Sequence, residues 1–310
     1  MKTMNWRRTA VTCVVVAGFL LAAGACSIGP SASSSSASPP TSTQLSLGLV
    51  PSSEGYTFQS AIESMPAGSA NPYSFVITGP DGKPVTQSSF LVFETRLLHL
   101  YAIRGDLTGF NHIHPVIAVD GAWATAAPDA DDQSNQGGLP AIAADGTWTT
   151  APSEPLVLQP GPYRVFVQFE ARDAQGLIHS LVLSRPLQVT GTYSPVPLPP
   201  PSNTAQVDGY TITISPPSST GAMVAHFTFK GAPVDNLEPY LDSWAHLSAF
   251  QEGNLGFGHL HPLETPQTPT QLGGPDLTFH AHFNSGTFRV FLQFQTGGHL
   301  HTAAFTLSYP

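Results

Sequence analysis

Short alternations of apolar and polar residues recur along most of the chain, and they predict β-strands. The clearest runs place β-branched and aromatic residues at every second position. They cover residues 164–169, 210–214, 225–229, 277–282, 289–294 and 303–307. Glycine-containing turns such as Asp81-Gly82 and Gly297-Gly298 separate the runs. No window of adequate length has the 3.6-residue period of an amphipathic helix, so the pattern predicts an all-β protein.

The second half of the chain repeats the first. His99 to Pro115 matches His246 to Pro262 without a gap, at an offset of 147 residues. Further on, residues 163–169 match 288–294 at an offset of 125, so the first copy carries about 22 extra residues (147 − 125 = 22). Such self-similarity indicates a duplicated domain. With roughly seven short strands per copy, it predicts two tandem immunoglobulin-like or cupredoxin-like β-sandwich domains.

Changes in composition set the predicted boundaries. A run rich in Ser, Ala, Pro and Thr cannot bury enough apolar surface to fold, and a proline-rich run forms a stiff linker. We therefore predict a signal peptide (1–25), a lipidated cysteine with a serine-rich tether (26–45), β-sandwich domain 1 (46–193), a Pro-rich linker (194–203) and β-sandwich domain 2 (204–310).

The N-terminus has the features of a bacterial export signal. A basic start with Lys2, Arg7 and Arg8 precedes an apolar run at residues 11–23, which is short for a membrane span. Ala-Gly-Ala-Cys26 then resembles a lipobox, whose cysteine is lipidated, although Ala23 stands where leucine is usual. The resemblance implies lipidation of Cys26 and attachment to the extracytoplasmic face of the cell membrane. An ordinary secretory signal or an uncleaved N-terminal anchor are the alternatives.

Charge and cysteine content exclude several function classes. The signal peptide holds three of the eleven basic residues and none of the twenty acidic ones, so the mature charge is 8 − 20 = −12 with neutral histidines. This balance disfavours binding to nucleic acid or to anionic lipid. Cys26 is the only cysteine in the predicted mature chain, which excludes a disulfide framework and any thiolate metal site in the folded domains.

All twelve histidines follow residue 98, and eight of them form four His-x-His pairs: His112/His114, His259/His261, His280/His282 and His299/His301. Residues i and i+2 of a strand lie on the same face, so both imidazoles can approach one ion. A single strand histidine is more often a hydrogen-bonded structural residue. The alternative is therefore a buried polar network that fixes the segment between His99 and Pro115.

The duplication selects candidate ligands from the twelve histidines. Four positions occur in both copies, whereas His280, His282 and His299 align with leucines in the first copy. The predicted metal ligands are His99, His112, His114, His179, His246, His259, His261 and His301. All-imidazole sites suit Cu(II), Zn(II) or Ni(II), and the order of affinities favours copper.

A resemblance to a protein family rests on several of these motifs. Copy 2 carries a His-Leu strand, a Phe-Gly-His-Leu-His-Pro segment ending at Pro262, and a Gly-Thr-Phe-Arg strand starting at Gly286. Copy 1 carries Asp106-Leu107 and His112 to Pro115. These segments resemble a poorly characterised family of actinobacterial secreted proteins and lipoproteins. The match covers most of copy 2 and about half of copy 1. Copy 2 departs from the family pattern at Gly253-Asn254, where an acidic residue is usual. The resemblance implies a cell-surface protein that handles heavy metals.

The motifs of the chain are compatible with two functions from different classes. The chain has no Gly-x-Ser-x-Gly segment, no phosphate-binding glycine loop and no recognisable pair of catalytic carboxylates, so we expect that it is not an enzyme. The first hypothesis is a lipid-anchored extracytoplasmic protein that binds copper or zinc. The second is a structural or interaction module of the cell envelope, in which the histidines are architectural. A protein partner is not identified by either.

Overall fold

The structure, a computed structural model, describes residues 48–68, 73–115, 118–119, 122–123, 147–149 and 156–310. These residues belong to one compact unit that extends from Ser42 to Pro310. The signal peptide, Cys26 and the serine-rich tether lie outside the described residues, so the predicted lipid anchor stays a prediction. Among the residues described, no helix is long and apolar enough to cross a membrane.

Copy 1, defined as residues 46–193, folds into β-sheets, as its alternating sequence predicts. Its strands are β1 (Ser52–Ser53), β2 (Tyr56–Gln59), β3 (Ser64–Pro66), β4 (Ser74–Thr78), β5 (Phe90–Leu91), β6 (His99–Arg104), β7 (Asn111–Ile113), β8 (Ala118–Val119), β9 (Ala122–Trp123), β10 (Thr147–Thr149), β11 (Gly161–Arg172) and β12 (Ile178–Thr190). A short 3-10 turn covers Gln87–Ser89. One sheet has the order β1-β2-β4-β10, the other β3-β12-β11-β6-β7 with β5 also on β11, and β8 pairs with β9.

Copy 2, defined as residues 204–310, repeats this arrangement. Its strands are β13 (Thr204–Val207), β14 (Tyr210–Ile214), β15 (Ala222–Phe229), β16 (Ala232–Pro233), β17 (Ala245–Gln251), β18 (Phe257–Leu260), β19 (Asp276–His280), β20 (Gly286–Thr296) and β21 (His299–Tyr309). One sheet has the order β13-β14-β15-β16, with β19 also on β15, and the other has the order β18-β17-β20-β21.

Each copy is a β-sandwich, because the inward faces of its two main sheets enclose one apolar core. In copy 1, Phe58 and Phe75 of the first sheet pack with Leu100 and Val167 of the second. In copy 2, the equivalent core joins side chains such as Phe227 of β15 and Phe294 of β20. The predicted all-β fold is therefore confirmed.

Strands β6 and β17 are buried on both faces, which is why their sequences do not alternate between apolar and polar residues. Leu100 of β6 points into the core of copy 1, whereas its neighbour Tyr101 joins a third cluster that includes Phe250 and Phe257 of copy 2. The outer faces of the two β6- and β17-containing sheets thus pack against each other. We call this contact the inter-copy interface.

The Pro-rich segment between the copies lies against the protein. The Val196 N–H donates to Asp106 Oδ2 at 2.9 Å, and Leu198 packs on the inter-copy interface. Asp106 belongs to the turn after β6, where it also accepts from the guanidinium of Arg104 at 2.9 Å and the hydroxyl of Thr108 at 2.7 Å. The linker is therefore held at its first half by a charged turn of copy 1.

Candidate metal centre

Histidines of both copies meet at the inter-copy interface because of strand register. His99 is the first residue of β6 and lies opposite Gln168 of β11, while His246 of β17 lies opposite Gln293 of β20. In β17, His246 and Phe250 share one face, because the side chains of a strand alternate. That face is the outer one, where Phe250 packs at the interface, so His246 points towards the opposite copy. His99 does the same, because it shares a face of β6 with Tyr101, which packs at the interface.

The first candidate group consists of His99, His112 and His114, all in copy 1. One donor atom from each lies within 4.8 Å of the others, and all three side chains are buried. His99 Nδ1 is 3.2 Å from His112 Nε2. The rings of His112 and His114, which flank the end of β7, are 4.8 Å apart between centroids, as expected for a His-x-His pair on one face. We call these residues group 1.

The second candidate group contains His246, His259 and His261 of copy 2 together with Glu94 of copy 1. His246 Nδ1 is 3.3 Å from His259 Nε2 and 2.9 Å from His261 Nε2. Glu94 Oε2 is 2.9 Å from His261 Nε2 and 3.9 Å from His246 Nδ1. We call these residues group 2. Its acidic ligand comes from the other copy, so the group is complete only when the two copies are packed together.

In four of the rings, the nitrogen that points away from the other histidines has an acceptor that shows which of the two ring nitrogens carries the hydrogen. A carbonyl oxygen can only accept, so His99 Nε2 donates to Phe93 O at 3.0 Å and His246 Nε2 donates to Tyr240 O at 2.7 Å. His112 Nδ1 donates to Gln293 Oε1 at 2.9 Å. His259 Nδ1 lies 3.1 Å from Gln168 Oε1 and 3.0 Å from the hydroxyl of Tyr101, and the amide oxygen can only accept from it. In a neutral ring the remaining nitrogen then carries a lone pair.

In group 1, two lone pairs therefore face each other: His99 Nδ1 and His112 Nε2 are close enough to hydrogen-bond, yet neither carries a hydrogen in the neutral rings. In group 2, His246 Nδ1 and His259 Nε2 face each other in the same way, but His261 Nε2 lies 2.9 Å from His246 Nδ1 and can donate to it. A cation between such atoms satisfies both of them at once. Histidine ligands of metals commonly donate their other nitrogen to a carbonyl or carboxamide in this way, which fixes the tautomer.

Burial keeps five of the six imidazoles neutral at physiological pH. It lowers the pKa of His246 to about 3 and that of His261 to about 4. Burial also lowers the pKa values of His99, His112 and His259 well below the ordinary range. The pKa of Glu94 is raised to about 7, mainly by burial and against the influence of His246. Neutral imidazole is the form that binds metal.

Contacts across the interface are reciprocal. His112 of copy 1 bonds Gln293 of copy 2, and the matching His259 of copy 2 bonds the matching Gln168 of copy 1. The apolar contacts follow the same rule: Phe110 stacks on Phe291 at 4.3 Å between centroids, and Phe257 lies 5.1 Å from Phe166. Residue i contacting j while j contacts i is the signature of a two-fold interface. The two copies are arranged as a homodimer would be.

The structure brings together six of the eight predicted ligands, and places His179 and His301 elsewhere. His179 Nδ1 is 2.6 Å from Glu54 Oε2 and its Nε2 is 3.0 Å from Asp173 Oδ2. His301 contacts Asp208 and Thr296 at 2.8 and 3.1 Å. Glu54 and Asp208 occupy matching turns before Gly-Tyr-Thr. The two histidines therefore connect the same turn to the same strand in each sandwich.

The other histidines of copy 2 lie outside both groups in the part of the chain that is described. His226 pairs with Asp276 at 2.6 Å, and His280 contacts the carbonyl oxygen of Thr220. The ring of His282 lies 5.3 Å from that of His280. Exposed His299 begins β21.

Sequence reasoning did not identify three residues of the centre. Gln168 and Gln293 had a usable signal, because both are polar residues at the same place in the repeated β11 and β20 motif. Glu94 had none, because the matching residue of copy 2 (94 + 147 = 241) is Leu241. Its role depends on packing between copies, which a single-copy pattern does not encode.

Comparisons with known proteins add little about function. The model of a domain of unknown function, DUF8832, matches residues 205–309, which is nearly the whole of copy 2. Among curated proteins, none matches the chain. Among solved structures, α2-macroglobulin of E. coli in its native conformation matches with 11% identity and a TM-score of 0.19; the match covers 82% of this chain and 16% of that one. The chain thus spans about a sixth of that protein, and copy 2 is similar to the DUF8832 domain.

Proposed function

We propose that the protein binds a divalent transition metal, Cu(II) or Zn(II), in the two histidine groups at the inter-copy interface. The observation that carries the proposal is the convergence of ring nitrogens in each group, with His99 Nδ1 and His112 Nε2 3.2 Å apart in group 1 and His246 Nδ1 within 3.3 Å of the Nε2 atoms of His259 and His261 in group 2. Hydrogen bonds from His99 Nε2 and His246 Nε2 to backbone carbonyl oxygens fix the tautomers of these two rings, so that Nδ1 of each carries a lone pair.

The donor set argues for copper or zinc. Three imidazoles, with or without a carboxylate, suit borderline ions, whereas Mg²⁺ and Ca²⁺ prefer all-oxygen sites. Metal binding would release a proton from Glu94, whose pKa of about 7 leaves it partly protonated near neutrality. We expect affinity to rise with pH over this range.

The proposed setting of this activity is the extracytoplasmic face of a membrane, with Cys26 as the lipid anchor. The support is the N-terminal sequence alone: a basic start, an apolar run and small residues before the cysteine. We propose binding rather than catalysis as the role of the ions, because the chain carries no recognisable catalytic motif.

Calorimetric titration of the purified protein with Cu(II) and with Zn(II) tests the proposal. We expect dissociation constants well below micromolar, and nitrogen hyperfine structure in the electron paramagnetic resonance spectrum of the Cu(II) form. His246→Ala together with His99→Ala should abolish tight binding. His226→Ala removes an exposed histidine that pairs with Asp276, and it should leave binding unchanged. Binding no tighter than that of the double variant would refute the metal function.

An architectural role is the second candidate, favoured by the bonds from His99 and His246 to the carbonyls of Phe93 and Tyr240, which close the preceding turns. If these bonds are the whole function, the His246→Ala variant loses the same thermal stability with and without a chelator. If metal binding is the function, the wild-type protein gains stability with free metal by mass action and the double variant does not.

A further inference from the structure

Assuming that the proposed metal function is correct, we infer that the centre holds two unequal ions. The ion in group 2 has four protein ligands, three imidazoles and the carboxylate of Glu94. The ion in group 1 has three imidazoles and a coordination position open to an exogenous donor, such as water, a small anion or a donor side chain of a partner.

Glu94 is positioned to act as a ligand of the copy 2 histidines. Its side chain is only 11% exposed, and Oε2 lies 2.9 Å from His261 Nε2 and 3.9 Å from His246 Nδ1. Despite these short distances, Oε2 makes no hydrogen bond of acceptable geometry. A buried carboxylate oxygen close to ring nitrogens but misaligned for hydrogen bonding is placed as a fellow ligand would be.

The matching position of copy 2 cannot supply the same ligand. Residues 94 and 95 form a left-handed turn with φ of 52° and 61°, and residues 241 and 242 repeat it with φ of 50° and 60°. The backbone is therefore the same in both copies, but Leu241 has no donor atom. Among the residues that the structure describes, group 1 consequently has no acidic member.

A cleft reaches group 1 at His112, although the three side chains of this group are buried; in group 2, the side chain of His261 is 26% exposed. His112 and Gln293 line a cleft of about 480 Å³ between β7 and the outer face of β20 and β21. Phe110 and Phe291, which stack at 4.3 Å, form another part of its wall. An ion in group 1 would thus lie beside a cleft along which a small ligand can approach.

Coordination number separates the expected roles of the two ions. A four-coordinate zinc site without an open position retains its metal, whereas a site with three protein ligands keeps a place for water or substrate. The group 2 ion would therefore hold the two copies together, since its ligands come from both. The group 1 ion would exchange with solution.

Titration of the full protein with Cu(II) tests this division. We expect two ions per chain with distinct affinities, and azide added to the loaded protein should give one azide-to-copper charge-transfer band. Glu94→Leu, which copies the residue of the other half, should weaken only the tighter site, by at least the roughly 10- to 100-fold that loss of a residue orienting a ligand costs. The azide band of the group 1 ion should persist in this variant. Glu94→Gln removes the charge with little change of shape and serves if Glu94→Leu does not fold.

A complementary variant addresses group 1. His112→Gln should remove the weaker ion and the azide band, while the tighter ion remains. One ion per chain, equal affinities at both sites, or an unchanged titration in both Glu94 variants would overturn the unequal centre while leaving metal binding intact. Absence of any binding would instead refute the proposed function itself.

Discussion

At the scale of single residues, the centre depends on side chains that hold the imidazoles in one tautomer. Gln168 and Gln293 do this across the interface, each accepting from the Nδ1–H of a histidine in the other copy. Gln293 is only 5% exposed and Gln168 is partly buried, so water replaces their hydrogen bonds only in part when they are lost.

Truncation of one glutamine should therefore affect one group only. Gln293→Ala leaves His112 Nδ1–H without its acceptor, which we expect to cost about 1 to 2 kcal/mol of stability. Metal affinity of group 1 should fall about 10- to 100-fold, the usual effect of removing a group that orients a ligand. Competition titration with a chromophoric chelator measures the change.

The control for this prediction is Gln188→Ala on β12. Gln188 is exposed, and its amide donates to the carbonyl oxygen of Val189. Neither residue belongs to group 1 or group 2. Removal of the Gln188 amide should leave both metal affinities unchanged. Equal effects of Gln188→Ala and Gln293→Ala would mean that the glutamine bond does not orient the ligand.

At the scale of elements, the turn between β6 and β7 connects the linker to group 1. Burial raises the pKa of Asp106, but hydrogen bonds from Arg104, Val196 and Thr108 outweigh it and bring the pKa to about 2. Since the folded pKa lies below the unfolded one, Asp106 stabilises the protein above pH 4. This contribution is lost as the pH falls from about 4 towards 2.

Asp106→Asn should thus lower the free energy of unfolding by about 1 to 2 kcal/mol at pH 7, after allowance for solvent screening. Urea denaturation at pH 7 and at pH 2.5 measures the difference between variant and wild type, which should shrink at the lower pH. Asp235→Asn, at an exposed position, is the matched control. A difference that stays constant over this pH range would show that the carboxylate charge is not the source of the stability.

Elements were predicted better than their contacts. The run at 210–214 coincides with β14, and those at 164–169 and 289–294 lie inside β11 and β20, which are 12 and 11 residues long. Strand periodicity depends on local sequence, so it was recognisable. The strand β6 was not among the predicted runs, because a strand buried on both faces has no alternation.

The candidate site was likewise predicted only in part from the sequence. Six histidines were found because duplication preserved them in both copies, at positions with strict strand spacing. His179 and His301 are also duplicated, but their partners are the carboxylates of Glu54 and Asp208. A histidine that occurs at the same position in both copies has similar surroundings in both. The sequence does not show whether it binds a metal or forms a structural ion pair.

At the scale of the whole molecule, buried histidines make the metal-free protein sensitive to mild acid. His246 and His261 have folded pKa values of about 3 and 4, below the unfolded value near 6.5, so their contribution to stability is present above pH 6.5. It is lost as the pH falls, by roughly 2 kcal/mol for each at pH 5. Glu94 acts in the opposite direction, because its folded pKa is raised to about 7.

The histidines outnumber Glu94, so we expect the thermal midpoint of the chelator-treated protein to fall between pH 7.5 and pH 5. Metal-loaded protein should fall less over the upper part of this range, because bound metal competes with protons for the same nitrogens. Differential scanning calorimetry with and without metal measures both curves. A flat midpoint for the metal-free protein would contradict burial of neutral imidazoles.

The linker at residues 194–203 has a consequence for dilute solutions. In a true homodimer the interface dissociates when the protein falls below its dimerisation constant, and any site built from both subunits is lost with it. Joining the halves in one chain makes their association intramolecular, with an effective concentration that short linkers set in the millimolar range. A shared site then persists at any dilution. The join also allows each half to change alone, as glutamate at residue 94 and leucine at residue 241 illustrate.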